Sequence, residues 1–418
     1  MPAVEYLTRT VDAELSALLP HAAAIALDGP KGVGKTATAL RRATTAWFLD
    51  DPAQRQVAAA DATLSTPPPG GVLLDEWQRI PQVWDAVRRQ VDAGAPPGRF
   101  LLTGSATPVD GAGTHSGAGR ILSLRMRPMA LHERGEVAPT VSLAGLLAGG
   151  ATVAGESTTS LRDYAEAIVE SGLPGVRTHA PRVRRGLLDA YLQRVVDRDL
   201  PDLGFSVRRP ETLRRWLAAY GAASSTTTAY SRLLDATTGG DGAQPAKTTT
   251  IAYRDHLTRL WLLDPVPGWV PANNPISRLQ QAPKHQLADP ALAARLLGLS
   301  ADALLGPTGA HMTGPLFESL VTLGVRVAAQ AVEATVHHLR TGSGEHEVDL
   351  VVQGDDGRVV GIEVKLAPAV TDADVRHLLW LRERLPDLVA DLVVVTTGTT
   401  AYRRRDGVAV VPLALLGA

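Results

Sequence analysis

The chain of 418 residues has no cysteine, and only five of its 42 basic residues are lysines: Lys31, Lys35, Lys247, Lys284 and Lys365. Without cysteine there can be no disulfide scaffold, thiolate zinc site or cysteine nucleophile, which fits a reducing, cytoplasmic setting. Net charge is also lacking: at −1 the chain carries no global basic field. Any nucleic-acid surface must therefore be local, built from arginine clusters such as Arg182-Val183-Arg184-Arg185 or Arg403-Arg404-Arg405. No uninterrupted apolar stretch approaches the roughly 18 residues a membrane helix needs. The N-terminus lacks the basic segment and apolar core of a secretory signal, so no membrane partner is expected.

What remains is an ordinary soluble composition, 45% hydrophobic and 20% charged, over a length that calls for two to four separate cores. Where arginine is the default cation, a retained lysine marks a place that needs a compact ammonium. Two of the five lie in the run Gly29-Pro30-Lys31-Gly32-Val33-Gly34-Lys35-Thr36. This satisfies G-x-x-x-x-G-K-T, with an apolar strand expected at Ala22 to Asp28 and a helix from Gly34 to Thr44, the context that a phosphate-cradling loop requires. Amides of Lys31 through Thr36 would point at phosphates, Lys35 would reach the β- and γ-phosphates of ATP, and the Thr36 hydroxyl would ligate Mg²⁺.

Short apolar runs at 46–49, 72–74 and 100–102 alternate with helical patterns, among them Ile80, Val83, Trp84, Val87 and Val91, and predict a parallel sheet with helices on both faces. Loops are expected at 66–71 and at the glycine-rich 111–119. Val72-Leu73-Leu74-Asp75-Glu76 places two carboxylates at a strand end, where Asp75 can bind Mg²⁺ through water and Glu76 can polarise the attacking water. Thr103-Gly104-Ser105 offers hydroxyls at the same sheet edge, either to sense the γ-phosphate or merely to cap a turn. Arg120 reads equally as a sensing arginine or a surface residue.

The loop, Leu74-Asp75-Glu76-Trp77-Gln78 with Ile80-Pro81 and Trp84, Leu101-Leu102-Thr103-Gly104-Ser105 and Gly119-Arg120 together resemble the prokaryotic AAA-type ATPases whose C-terminal half is the DUF4143 region. The resemblance continues in Gly172-Leu173-Pro174, Ala282-Pro283-Lys284, Asp289-Pro290 and Gly314-Pro315-Leu316-Phe317-Glu318. It implies an AAA-type core with ATP as ligand, a winged-helix portion and a nuclease-like C-terminal fold. The fold class is thus α/β: an N-terminal P-loop AAA-type parallel sheet domain at 1–150, a helical connector at 151–205, a winged-helix-like portion at 206–290 and a mixed α/β unit at 291–418.

In the middle portion three helices are expected at Pro210 to Tyr220, Thr228 to Ala236 and Thr248 to Leu260, followed by extended chain from Trp261 to Trp269. This layout suits either a winged helix with its third helix in a DNA groove or a packing module that touches no DNA. Trp216, Trp261 and Trp269 are read as core.

In the C-terminal unit a helix from Leu316 to Ala329 precedes strands at Thr335 to Leu339, Glu347 to Val352 and Val359 to Lys365, a helix at Asp372 to Arg384, and a last strand at Asp391 to Thr396. Asp349, Glu363 and Lys365 resemble the core of the PD-(D/E)xK nuclease superfamily, with Val348 in place of the proline and Glu318 matching an acidic position that completes such sites. Glu363 and Lys365 share one face of a strand; Asp349 and Glu363 could hold a second Mg²⁺, with Lys365 orienting water. A salt-bridged sheet surface is the competing reading. His337, His338 and His346 are read as solvated strand residues, since nothing near them has zinc-ligand spacing.

The expected function is ATP binding and hydrolysis controlling the C-terminal half, with nucleic acid, DNA rather than RNA, as partner and self-association compatible. The alternatives are a metal-dependent nuclease regulated by ATP and a non-enzymatic DNA-binding regulator.

Overall fold

The computed structural model describes residues 6–418 except 62, 65–67, 106–116, 238–246, 272–281 and 343. The N-terminal block is a five-stranded sheet of β1 (Ala24–Asp28), β2 (Thr45–Phe48), β3 (Val72–Asp75), β4 (Phe100–Gly104) and β5 (Leu122–Arg125). The strands run parallel in the order β2-β3-β4-β1-β5. Successive side chains alternate between two cores. Ala24, Ala26, Val72, Leu74, Phe100 and Leu102 pack on one face with Val83 and Val87 of the helix Gln82–Asp92. Ile25, Leu27, Leu73 and Leu101 pack on the other with Val11, Leu15 and Ala39.

Strand β5 was not expected, because its four residues, LSLR, carry too short and too exposed an apolar pattern to register. The helix after the loop is also shorter than the sequence suggests, Lys35–Leu40. The expected loops at 66–71 and 111–119 fall partly outside the described residues.

The C-terminal sheet has seven strands in the order β7-β12-β13-β11-β10-β9-β8. These are β7 (Gly155–Glu156), β8 (Thr335–Arg340), β9 (Glu347–Gln353), β10 (Val359–Lys365), β11 (Val389–Thr396), β12 (Thr400–Arg403) and β13 (Ala409–Pro412). A parallel pair joins β6 (Val141–Ser142) to β14 (Leu416–Gly417). The chain therefore does not end its strands at Thr396, and the strands at 141–142 and 155–156 pair with C-terminal strands rather than with the first sheet. Two-residue strands such as β6, β7 and β14 are recruited by tertiary pairing and have no local periodicity to detect. Leu131 through Leu416 contribute to one continuous core that spans the middle and C-terminal portions. The helix Ala310–Gln330 begins before Leu316 and carries Pro315 inside it, where a helix start was expected.

The middle portion places the helices Pro210–Ala222, Tyr230–Thr237 and Lys247–Arg259 close to their expected positions, with Trp216 and Tyr253 in ring contact in the core. An antiparallel ladder follows. Val266 and Lys284 exchange backbone hydrogen bonds of 2.9 Å each way, the Asp264 amide donates to the Gln286 carbonyl at 2.9 Å, and the Ala288 amide donates to the Leu262 carbonyl at 2.9 Å. The ladder covers the exposed edge of the C-terminal sheet: the Trp269 amide donates to the His338 carbonyl of β8 at 2.7 Å. His338, expected in solvent, is fully buried beneath it, and its Nε2 lies 2.9 Å from the Ala282 carbonyl oxygen.

Candidate functional site

The loop Gly29–Thr36 turns between β1 and its helix because Gly29, Gly32 and Gly34 adopt φ of 154°, 79° and 102°. At Gly29 a Cβ would meet the Met126 carbonyl oxygen at 2.1 Å, so no side chain fits that point. Lys35 is 5% exposed, and its ammonium donates to the Gly29 carbonyl at 2.7 Å and the Pro30 carbonyl at 2.9 Å. Burial pulls its pKa down to about 8, against the opposing attraction of Glu76, Asp28 and Asp75.

The carboxyl edges of β3 and β4 bring the other expected residues to the loop. Their register pairs Asp75 with Thr103. Asp75 Oδ1 accepts hydrogen bonds from the Thr36 hydroxyl at 2.8 Å and from the Thr103 hydroxyl. Glu76 sits at φ 55°, ψ 43°, a left-handed conformation that a glutamate adopts at a cost and that points to a functional constraint. Its carboxylate accepts from Ser105 Oγ at 3.1 Å and from the Gln78 side-chain amide. The expected set Lys35, Thr36, Asp75, Glu76 and Ser105 is therefore one constellation at one sheet edge. Arg120 stays apart, paired at 2.9 Å with Asp92 on the outer helix.

Several residues at this site carried no motif. Gln78 orients Glu76; its place two positions after Glu76 in the family-like run was the available signal. Arg9 is buried and donates to the Val33 carbonyl of the loop at 2.8 Å and to Glu133 at 3.0 Å. Burial raises the Glu133 pKa, but Arg9 and the Thr10 and Ala130 amides more than offset this and hold it below the carboxylate range. Beside Gly34 opens a largely apolar cavity of about 480 Å³ lined by Tyr6, Ala37, Met126, Met129, Pro174 and Thr178, among others. Its wall continues into the middle portion: Asp289 accepts from the Ser171 hydroxyl at 2.5 Å and the Gly172 amide at 2.8 Å. Lys31 donates to Asp199 at 2.5 Å, joining the loop to the π-helical turn Val195–Asp199.

The residues expected at the second site also come together, but around an unexpected cation. Glu318, Asp349, Glu363 and Lys365 line one cavity of about 420 Å³. Lys284, 1% exposed, lies 2.8 Å from Asp349 Oδ1, 3.0 Å from Glu318 Oε1 and 3.4 Å from Glu347 Oε1. Asp349 Oδ2 accepts from the Val364 amide at 2.9 Å, and Lys365 donates to Glu363 at 2.8 Å. Burial, reinforced by Asp349, pushes the Glu318 and Glu363 pKa values up to about 8; burial would raise Asp349 too, but Lys284 holds it below the usual range.

Asp349 and Glu363 thus do not share a cation, and among the described residues no group of three His, Asp or Glu side chains could hold a metal ion. The expected second Mg²⁺ set does not fit the donors as they stand. The loop site does fit one, since Thr36 and Asp75 present oxygens 2.8 Å apart. The arginine clusters are partly spent: Arg403 is bidentate to Asp391 at 2.8 and 2.9 Å, Arg404 pairs with Asp372 and Asp406, and Arg184 pairs with Glu170. Among the described residues no helix is long and apolar enough to cross a membrane.

The chain matches family models described as an AAA domain over residues 21–134, a domain of unknown function (DUF8612) over 161–303 and a domain of unknown function (DUF4143) over 313–416. Uncharacterized proteins of Mycobacterium tuberculosis and Mycobacterium bovis are each 27% identical over 419 aligned positions, covering 97% of this chain and 83% of the relative. A solved Walker-type ATPase of Pyrococcus abyssi is similar at 14% identity, over 70% of this chain and 96% of that one, with a TM-score of 0.41. The chain thus carries an AAA domain in its N-terminal part and a DUF4143 region at its C-terminal end.

Proposed function

We propose that the chain binds and hydrolyses ATP at the loop site and that its nucleotide state is passed to the middle and C-terminal portions. The observation that carries this reading is the meeting of Lys35, Thr36, Asp75 and Glu76 at the carboxyl edge of one parallel sheet, with Thr36 Oγ1 2.8 Å from Asp75. The loop amides and the helix N-terminus hold phosphate oxygens. Lys35 exchanges its two carbonyl partners for phosphate oxygens, and its charge is then met by a full anion. Mg²⁺ bound with ATP neutralises phosphate charge, and Thr36 with Asp75 are the residues that would hold it. Glu76, fixed by Gln78 and Ser105, orients a water for in-line attack and takes its proton. The apolar cavity beside Gly34 suits the base.

Two contacts support transmission. Lys31 ties the loop to Asp199, and Pro174 of the cavity wall follows the Ser171-Gly172 turn that Asp289 holds. Control of a bistable interface by the γ-phosphate is the usual use of such contacts. Nucleic acid, DNA before RNA, is the partner proposed for the far half. The three helices and ladder at 210–288 and the exposed Arg182 and Arg185 favour it.

The experiment is a pair of variants. Lys35→Ala lowers ATP affinity at least about a hundredfold, roughly 2.7 kcal/mol. Glu76→Gln keeps ATP binding and lowers the hydrolysis rate about a hundredfold or more. Turnover at the wild-type rate in both refutes the assignment.

A further inference from the structure

A divalent cation needs several carboxylate oxygens turned to one point, with sides left open for water or substrate. In the C-terminal cluster the oxygens turned to one point are those of Asp349, Glu318 and Glu347, and the atom at that point is Lys284 Nζ. An ammonium has three donors, and here it faces three carboxylates. Asp349 has both oxygens engaged, one by Lys284 and one by the Val364 amide. Glu363 Oε1 is served by its own neighbour, Lys365, while its Oε2 is buried without a hydrogen-bond partner among the described residues and is an oxygen of the cluster that Lys284 does not explain.

Lys284 does not come from the sheet that carries the carboxylates. It belongs to the ladder of the middle portion, where its amide and carbonyl both pair with Val266. That ladder is held at two further points. Asp264, on the opposite strand, is fully buried among Arg125 at 2.9 Å, Arg127 at 2.8 Å and Arg326. Asp289, just beyond the second strand, binds Ser171 and Gly172. Withdrawing Lys284 therefore requires moving a strand anchored to the N-terminal sheet, the long C-terminal helix and the wall of the nucleotide cavity. A second cation added beside it would meet like-charge repulsion at close range in a buried site.

We propose that the nuclease-shaped carboxylate cluster is a socket for the Lys284 ammonium, which takes the place of a divalent metal and clasps the middle ladder to the C-terminal sheet. The C-terminal face then serves for assembly and binding, and any action on nucleic acid proceeds without metal-dependent cleavage there.

The test is Mn²⁺ binding to the full chain without nucleotide, followed by electron paramagnetic resonance and calorimetry, in an Asp75→Asn background that removes the N-terminal ion position. With Lys284 intact, no protein-bound Mn²⁺ is expected up to millimolar concentrations. Lys284→Met gains one ion with an affinity at least a hundredfold higher, and adding Asp349→Asn abolishes the gain. Mn²⁺ held by the chain with Lys284 intact and lost on Asp349→Asn overturns the proposal, as does the absence of any gain in a folded Lys284→Met. Should that variant not fold, the lysine-intact arm decides: an Asp349-dependent rise in melting temperature with Mn²⁺ overturns the socket, and a melting temperature indifferent to Mn²⁺ supports it. Because no nucleotide is present, failure here leaves the ATP assignment to its own experiment.

Discussion

Two buried lysines, Lys35 and Lys284, meet opposite environments. Lys35 faces two neutral carbonyls, and burial lowers its pKa to about 8. Lys284 faces three carboxylates, and although burial alone would lower its pKa, Asp349, Glu318 and Glu347 raise it well above the ordinary value. A buried ammonium with no carboxylate in direct contact is costly and therefore receptive to an anionic ligand; one already paired with carboxylates has little charge left to offer. The first is how a phosphate site is prepared, the second how a fold is fastened.

The sharpest way to break this contrast is to remove each charge by the same substitution. Lys284→Met leaves Asp349, Glu318 and Glu347 without their shared ammonium and should cost about 3–5 kcal/mol of stability at pH 7. Lys35→Met should leave stability unchanged or raise it, by up to about 3 kcal/mol, because it removes a charge that folding disfavours. The sign depends on pH. The folded pKa of Lys35 lies below its ordinary 10.5, so between about 8 and 10.5 the unfolded chain binds more protons and wild-type stability rises with pH. Lys35→Met lacks that rise, and its advantage fades by pH 10.5. Denaturant unfolding of both variants at pH 7 and pH 10 measures this; shifts of the same sign at pH 7 would erase the distinction.

A smaller effect concerns the ligand. Phosphate needs the charged form of Lys35, so ATP affinity should hold below pH 8 and fall by up to about tenfold per unit above it, with one proton taken up on binding. Calorimetry from pH 7 to 9.5 in buffers of different ionisation enthalpy reads both quantities, and Lys35→Arg should flatten the profile. A flat wild-type profile would mean that Lys35 does not carry the phosphate charge.

The two sites also differ in how far they could be read from sequence. The loop site was legible because its chemistry is local: Gly29 to Thr36 are contiguous, and Asp75 and Glu76 close an apolar strand beside another that carries Thr103 near its end. Arg9, Met126 and Pro174 were not, since each reaches the loop only through tertiary packing. At the C-terminal cluster, Glu363 and Lys365 were placed on one strand face by period-two geometry, and Asp349 and Glu318 do join them. The meaning of the cluster changed with Lys284, which lies 65 positions from Asp349 and arrives on a ladder strand that the sequence marks only by the run Ala282-Pro283-Lys284. Asp264 and its three arginines were equally hidden, because a single aspartate between Leu263 and Pro265 has no periodicity. Strands β6, β7 and β14 were invisible for the same reason.

Lys31 supplies the intermediate case and the smallest expected effect. Its pair with Asp199 is short, 2.5 Å, but its side chain is 43% exposed, so solvent screens the attraction. A double-mutant cycle with Lys31→Ala and Asp199→Asn in the nucleotide-free protein should give a coupling below about 1 kcal/mol, in the range of exposed pairs. About 1 M salt should remove most of it while changing the cost of Lys284→Met much less, since the Lys284 ammonium is buried and screened far less. Such a weak contact is suited to transmission, because phosphates bound in the loop offer Lys31 a second anion, and a pair worth so little can be exchanged for it. A coupling near 3 kcal/mol that resists salt would make Lys31 a fastening of the Lys284 kind, and the loop would then be locked to the π-helical turn rather than read by it.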